Sequence, residues 1–266
     1  MFSGANVKGS VAVNAKPFNQ SASRGTVRYF FVMPHLFRSS PSSNRYYAWF
    51  EAMHTRVDLL LTGQQSEAEF EQIEAAVRDD LSAVEQMGNR FAPDSELSKA
   101  VKEAVARPVA LSNDLHDLLK RCLAANAETG GLFDITVNSP GFRPGLIKAV
   151  ELTADGCLRL HEKDIVLDLS GVLKGYALER LRRLLQSLGV SDAVVNLGNS
   201  SILSLGNNPT DIPSGQCLTT SGNATAQRRH IRNPLTGTFV IGRREVSVTT
   251  PDAVDGEIRS IEAFLS

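Results

Sequence analysis

Apolar residues recur at every third or fourth position in four segments of the chain, which predicts amphipathic helices there. The clearest of these helices covers residues 66–88, where Ser66 and Glu69 form a capping box at the start of the helix. Its apolar positions fall on one face, and they are Phe70, Ile73, Val77, Leu81 and Val84. The same spacing predicts helices over 94–105, 112–131 and 174–189.

Shorter apolar or alternating runs predict β-strands. They fall at 55–61, 132–137, 192–198 and 244–250, and a hairpin of two strands is predicted over 157–170. Strands and helices do not alternate one to one, as they do in a parallel barrel. We therefore predict an α+β fold with antiparallel strand pairs.

Composition and charge exclude several classes of protein. The chain has 266 residues, of which 42% are apolar and 21% charged, which is ordinary for a globular protein. A net charge of -1 gives no indication of a nucleic-acid partner or of an anionic membrane surface. Three scattered cysteines without a CxxC spacing form neither a disulfide framework nor a zinc site.

The first part of the chain differs from the rest. Residues 1–50 hold six Lys or Arg and no acidic residue. We interpret residues 1–45 as a basic, disordered arm and residues 46–266 as one domain, with an organellar targeting segment as the alternative for the arm. Neither a secretory signal nor a cysteine for lipid attachment is recognisable near the start, so the sequence makes no prediction of localisation.

The segment DLSGVLKGYA, residues 168–177, suggests a site for an anion. Lys174 is placed at the start of a predicted helix, where free N–H groups and the helix dipole already favour negative charge. Gly171 and Gly175 allow a ligand to approach the backbone closely. A solvated lysine at a helix start is an equally good interpretation of this segment alone.

Two other segments carry candidate chemistry. His230 precedes a turn at Asn233-Pro234 and could act as an acid or a base near neutral pH. Ser221 and His230 invite a hydrolase interpretation, but the chain has no G-x-S-x-G elbow. Asp252 and Asp255 could offer oxygen ligands to Mg²⁺; alternatively, Asp252 caps a helix and Asp255 pairs with Arg259.

Taken in order, these stretches resemble the motifs of the ApbE family, the FAD:protein FMN transferases. The matching segments span roughly residues 48–264, and they are FEAMHTRVDLLL, FAPDSELS, GGLFDITV, DLSGVLKGYA, VVNLGNSS, LTTSGN and HIRNPLTG. The ordered set is specific, although each motif alone is not.

The resemblance implies a fold of two related α+β halves with antiparallel sheets, of the T-fold type. It implies Mg²⁺-assisted transfer of FMN from FAD to a Thr of an acceptor flavoprotein, with release of AMP; some relatives instead hydrolyse FAD. Family members usually work outside the bacterial cytoplasm.

The resemblance also implies roles for particular residues. Lys174 would contact FAD, and the residues that would line the flavin and adenosine pockets are Met53, Phe91, Leu132, Phe133, Asp134, Asp168, Ser221 and Ile231. The carbonyl of Gly171 and the carboxylate of Asp255 would bind Mg²⁺. His230 would act with Asp255 in catalysis, as the base for the incoming Thr or as a group that positions it.

The chain departs from the family pattern at several positions. His54 replaces a Gly and could crowd the flavin, and Asn199 replaces the second Gly of an Asn-x-Gly-Gly loop. The stretch from Gly206 to Thr220 is short. Arg259 stands four residues after Asp255, where the family has a Thr ligand, and could take over the charge of the metal. These departures keep open a non-catalytic or weakly hydrolytic FAD- or FMN-binding relative.

Overall fold

A computed structural model of the chain describes residues 45–223, 231–242 and 244–266. The helices in these ranges are α1 (Glu67–Gly88), α2 (Glu96–Ala104), α3 (Asn113–Glu128), α4 (Leu173–Ser187) and α5 (Ala253–Leu265), with a short 3₁₀ turn at Leu146–Ala149. The strands are β1 (Arg45–Ala52), β2 (Thr55–Thr62), β3 (Val109–Ala110), β4 (Val150–Leu152), β5 (Cys157–Leu160), β6 (Asp192–Leu197), β7 (Ser201–Leu205), β8 (Cys217–Asn223), β9 (Arg232–Asn233), β10 (Thr238–Phe239) and β11 (Arg244–Thr250).

The main sheet is antiparallel and has six strands in the order β1-β2-β6-β7-β8-β11. Its central strand β6 is almost wholly buried, as the continuous apolar run of its sequence predicts. Helix α1 packs beside β1 and α4, whereas α5 lies on β8 and β11 and also contacts α4. This packing brings the starts of α4 and α5 together.

Helix starts follow the capping signals of the sequence. The capping box of Ser66 and Glu69 is present at α1, and Ser95, Ser112 and Asp252 accept backbone N–H groups at α2, α3 and α5. The four predicted helices are confirmed within a few residues. Residue Asp252 is thus an N-cap, as the second interpretation of the sequence had it.

The predicted hairpin over 157–170 is wrong in its second half. Strand β5 pairs with β3 and β4 in a small sheet, and the hairpin is formed by β4 and β5 around a turn at Gly156. Residues 161–170 are outside any strand because their backbone groups bond elsewhere. The N–H of Val166 donates to the hydroxyl of Ser139, and that of Asp168 donates to the carbonyl of Ile135.

The predicted strand at 132–137 is also wrong. Phe133 and Ile135 are buried, as their apolar character requires, but the segment is a series of turns. Side chains replace the ladder of a sheet: the hydroxyl of Thr129 accepts from the N–H of Phe133, and the carboxylate of Asp134 accepts from the N–H of Thr136. Burial was therefore predicted correctly, and backbone geometry was not.

Mixed helices and antiparallel sheets confirm the α+β fold class. The relation between two halves of the fold, and the boundary between an arm and a domain, stay predictions. Within the described ranges, the helices lack the length and apolar character needed to cross a membrane.

Candidate functional site

A cleft of about 660 Å³ opens where the turns of the main sheet meet the starts of α4 and α5. We call it the main cleft. Eight of the nine predicted flavin-binding residues line it together with Gly171, and they are Met53, Leu132, Phe133, Asp134, Asp168, Lys174, Ser221 and Ile231. These residues come from five separate stretches of the chain, and the fold brings them together.

Two tight turns of the sheet form one wall. Met53 and His54 connect β1 to β2 with φ angles of 52° and 55°, in the left-handed region that glycine usually occupies in such a turn. Gly198 follows β6 in the neighbouring turn, and a Cβ there would lie 2.2 Å from the hydroxyl oxygen of Thr55. The side chain of His54 is exposed, lines the cleft and lies 3.3 Å from the amide nitrogen of Asn89. Any crowding of a ligand by His54 would therefore occur at the exposed edge of the cleft.

The start of α4 contributes a cation. The start of α4 differs from those of the other four described α-helices. Its N-cap residue, Val172, makes no side-chain hydrogen bond, and its first turn contains no acidic residue. Lys174 lies in that first turn, lines the main cleft and donates to the hydroxyl of Ser200. The positive end of the helix dipole and a full positive charge therefore lie together at the start of α4.

Glu257 lines the same cleft and is a residue that the sequence interpretation missed. Its side chain is buried and accepts a hydrogen bond of 2.5 Å from the hydroxyl of Ser201. Burial raises the pKa of Glu257, against the opposing effects of nearby Lys174 and of the Ser201 hydrogen bond. A buried carboxyl group thus lies close to the cation of α4.

Asp255 faces away from this site. Its side chain is 62% exposed and accepts a 2.8 Å hydrogen bond from Arg121, which also holds the cap Asp252. Burial raises the pKa of Asp252, but the hydrogen bonds from Arg121 and from the Asp255 N–H outweigh it and leave the pKa low. Asp255 does not appear among the residues around the main cleft in the described part of the chain.

The predicted pair of Asp255 with Arg259 is wrong. Arg259 donates to Glu262 at 2.8 Å, on the exposed side of α5. Arg121, from a helix far away in sequence, takes the place that Arg259 was expected to fill. Helical spacing could have revealed this arrangement, because the positions 253, 254, 257, 258 and 261 fall on one face of α5.

The main cleft offers a divalent metal two candidate oxygen donors, the carbonyl of Gly171 and the carboxylate of Glu257. Gly171 and Glu257 both line the cleft, and so does Ile261, one turn after Glu257. The terminal carbon of Ile261 lies 3.1 Å from where a Cβ of Gly171 would be. Among the described residues, no group of three or more His, Cys, Asp or Glu side chains is placed to hold a metal ion. The donors present suit Mg²⁺, which keeps several waters and takes one or two carboxylates plus substrate phosphates.

Two further carboxylates, those of Asp134 and Asp168, line the main cleft. The Asp134 carboxylate accepts from the N–H and hydroxyl of Thr136 at 2.7 and 2.6 Å, and burial raises its pKa in spite of these bonds. Asp168 accepts from Asn138 at 2.7 Å and lies 2.9 Å from Arg90. Both acids are therefore fixed in orientation before any ligand arrives.

The remaining predicted residues have different positions. Ser221 shares a 2.7 Å hydrogen bond with Ser260, which is buried behind it and also donates to the carbonyl of Glu257. Phe91 is 67% exposed, lies under the guanidinium of Arg90 and is not part of the cleft lining. His230 lies outside the described residues, so its role stays a prediction.

Comparison with known proteins agrees with this geometry. The sequence model of the ApbE family matches residues 53–140 and 143–266. A curated FAD:protein FMN transferase of Klebsiella pneumoniae (strain 342) is 29% identical over 162 residues, which are 51% of this chain and 46% of the relative. One of Vibrio cholerae is 26% identical over 140 residues, 44% of this chain and 42% of the relative. The chain thus matches less than half the length of these relatives.

Solved structures show the same fold. The flavin transferase ApbE from Vibrio cholerae superposes with a TM-score of 0.73 at 20% identity, covering 84% of this chain and 87% of that one. The apo form of the Pseudomonas stutzeri flavinyl transferase ApbE gives a TM-score of 0.72 at 15% identity, with 84% of each chain covered. At these identities the likeness establishes the architecture, and the chemistry has to be argued from the residues.

Proposed function

This chain belongs to the ApbE family, and from that premise we propose that it transfers FMN from FAD to a hydroxyl group of an acceptor protein. The convergence of Lys174 and Glu257 on the main cleft, at the uncapped start of α4, carries the proposal. A diphosphate is the group that such a place favours, because the positive end of a helix dipole and a cation stabilise its charge.

The proposed reaction breaks one phosphoanhydride bond. The hydroxyl oxygen of an acceptor Thr attacks the phosphorus of the FMN half, the bond from that phosphorus to the bridging oxygen breaks, and the bridging oxygen leaves with AMP. The proton of the hydroxyl passes to a base. By resemblance that base is His230, which precedes Ile231 of the cleft wall in sequence.

Residues of this chain position the substrate. Lys174 neutralises charge on the diphosphate, and the apolar side chains of Met53, Phe133 and Ile231 offer a surface for the isoalloxazine ring. Asp134 and Asp168, both held by hydrogen bonds, accept from the polar groups of the substrate. Walls that are ordered in advance lower the entropy cost of binding.

We assign the Mg²⁺ ligands to Glu257 and the carbonyl of Gly171, instead of Asp255 and Gly171. Bound there, Mg²⁺ would neutralise negative charge on the phosphates. Burial raises the pKa of Glu257 and so disfavours the ionised carboxylate that metal binding requires, and the charge of nearby Lys174 acts against this effect.

A transfer assay tests the proposal. Protein extract from the source organism, freed of small molecules, is incubated with the chain, FAD and Mg²⁺, then separated on a denaturing gel and by chromatography. We expect a fluorescent protein band and an equal amount of AMP, both lost in Lys174→Ala. Lys120→Ala, an exposed lysine on α3, serves as the matched control.

A second candidate function is flavin binding without transfer. Ile261 favours it, because its aliphatic side chain lines the cleft at the spacing from Glu257 where the family pattern has a Thr ligand. Saturable FAD binding with neither a fluorescent band nor AMP would support this candidate and refute the transferase.

A further inference from the structure

A second depression of about 330 Å³ adjoins the main cleft. We call it the side groove. It lies between the end of α3, the loop before β4 and the turn after β9, and it shares Asp134 and Pro234 with the main cleft. A ligand in the side groove would therefore reach the reaction site across these two residues.

The floor of the groove leaves backbone accessible. Gly130 and Gly145 have φ angles of 59° and 84°, and a Cβ on either would meet no atom within 4 Å. A partner chain can approach such backbone closely, because no side chain intervenes. Gly131 also lines the groove, and a methyl carbon of Leu235 lies 3.4 Å from the position that its Cβ would take.

The groove offers one apolar and one basic group. Leu235 is 52% exposed, a large fraction for a leucine. Lys148 is exposed on a 3₁₀ turn whose neighbours Leu146 and Ile147 are buried, so its position is anchored. Within the described ranges Lys148 has no ion-pair partner, whereas nearby Arg143 pairs with Glu162 at 2.6 Å.

We propose that the side groove binds the acceptor polypeptide, as an extended segment with an aliphatic side chain on Leu235 and a carboxylate on Lys148. This proposal rests on the proposed transfer function. The segment enters the main cleft past Asp134 and Pro234, which places a hydroxyl side chain beside the diphosphate. The chain's own first 44 residues fit poorly, since they contain no Asp or Glu to meet Lys148.

A synthetic peptide array tests the assignment. Each peptide has a central Thr and randomised flanks, and the array is incubated with the full chain, FAD and Mg²⁺. Bound protein is read with an antibody, and covalent flavin is read by fluorescence after a denaturing wash. The variants are Lys148→Glu and Leu235→Asp. Lys163→Glu and Leu188→Asp are the matched controls, because both residues are exposed and neither lines the main cleft or the side groove.

We expect the wild type to select acidic and aliphatic residues near the Thr. Lys148→Glu should reverse the charge preference by about tenfold or more, and Leu235→Asp should abolish the aliphatic preference, with both controls unchanged. Selection that neither variant changes would overturn the proposal, as would no selection at all. Weakened FAD binding by Lys148→Glu with unaltered peptide selection would assign the groove to the nucleotide. Binding without covalent flavin would refute transfer while leaving the groove assignment intact.

Discussion

Two acidic residues of α5, Asp255 and Glu257, lie two positions apart and have opposite environments. Asp255 is exposed and bound to Arg121, whereas Glu257 is buried beside Lys174. Because each residue of an α-helix is rotated by about 100° from the one before, side chains two positions apart point to nearly opposite sides of the helix. Assigning the metal ligand to one or the other is therefore a claim about which face of α5 meets the cleft.

Binding of Mn²⁺ distinguishes these two assignments. Mn²⁺ stands in for Mg²⁺ and its free concentration is read by electron paramagnetic resonance in the presence of FAD. We expect Glu257→Gln to weaken Mn²⁺ binding by about tenfold or more, because a charged ligand is lost. Asp255→Asn serves as the matched change and should bind like the wild type. The opposite ranking of the two variants would restore Asp255 as the ligand.

The raised pKa of Glu257 predicts a pH-dependent stability in the absence of metal. Between the ordinary glutamate pKa and the raised pKa of the folded state, Glu257 is ionised in the unfolded chain and protonated in the folded chain. The free energy of unfolding therefore falls as pH rises through this range. Glu257→Gln removes the cost and keeps an acceptor for Ser201. Thermal unfolding should therefore give a melting difference, variant minus wild type, that is more positive at about pH 8 than at about pH 5. A difference that is constant or falls with pH would contradict the buried, protonated group.

At the level of single residues, several members of the cleft lining could be predicted from the sequence, and others could not. Lys174, Asp134 and Asp168 were identified from their motifs and line one cleft. Glu257 was missed because neither of the two interpretations of the 249–260 segment tested which residues share the buried face of α5. Arg121 was missed because it lies in another helix, and only packing brings it to Asp252.

The contact between α4 and α5 positions the site at the level of whole elements. Gly175 makes the close approach possible, since a Cβ there would lie 2.5 Å from the carbonyl oxygen of Ala253 and 2.8 Å from the Cγ of Glu257. A backbone oxygen cannot move aside as a flexible side chain can. The spacing of the helices, and with it that of Lys174 and Glu257, depends on this glycine.

Gly175→Ala should separate the two helices. Overpacking of this kind costs about 1–3 kcal/mol, more than the intrinsic helix preference of alanine returns. We expect a lower free energy of unfolding in urea and weaker FAD binding by calorimetry. Gly141→Ala is the control, because a Cβ at Gly141 meets nothing within 4 Å. If Gly175→Ala matched this control in both measurements, the close contact would have no role.

Periodicity predicted the helices well because each buries a single stripe. It failed at 132–137 and 161–170, where apolar side chains are buried but hydroxyl and carboxylate groups bind the backbone in place of a neighbouring strand. Apolar alternation records burial, and such side-chain bonds depend on partners distant in sequence. These irregular segments also form walls of the main cleft, where a regular strand would present its side chains differently.

For the molecule as a whole, the arm and the domain should be separable. The sequence places their boundary near residue 45, and the main sheet begins with Arg45 at the start of β1. We expect a shortened chain of residues 45–266 to keep the melting temperature and the FAD affinity of the full chain, because the core and the cleft lie within it. Loss of folding or of FAD binding in the shortened chain would show that the arm belongs to the domain.

The order of predicted helices and strands along the chain allowed the fold class to be predicted, because both kinds of element follow local patterns of apolar residues. The joining of β2 to β6 across more than a hundred residues could not be predicted in this way. That pairing sets the turns of Met53 and Gly198 side by side and so creates the main cleft.

Calorimetric titration of the full chain with FAD, with and without Mg²⁺, tests the central claim most directly. If the main cleft is a site for FAD, saturable binding will be seen, and Mg²⁺ will tighten it because the diphosphate and Glu257 share the charge of the metal. Lys174→Ala will weaken binding in both conditions. Absence of FAD binding with and without Mg²⁺, in a chain that unfolds cooperatively, would contradict the account.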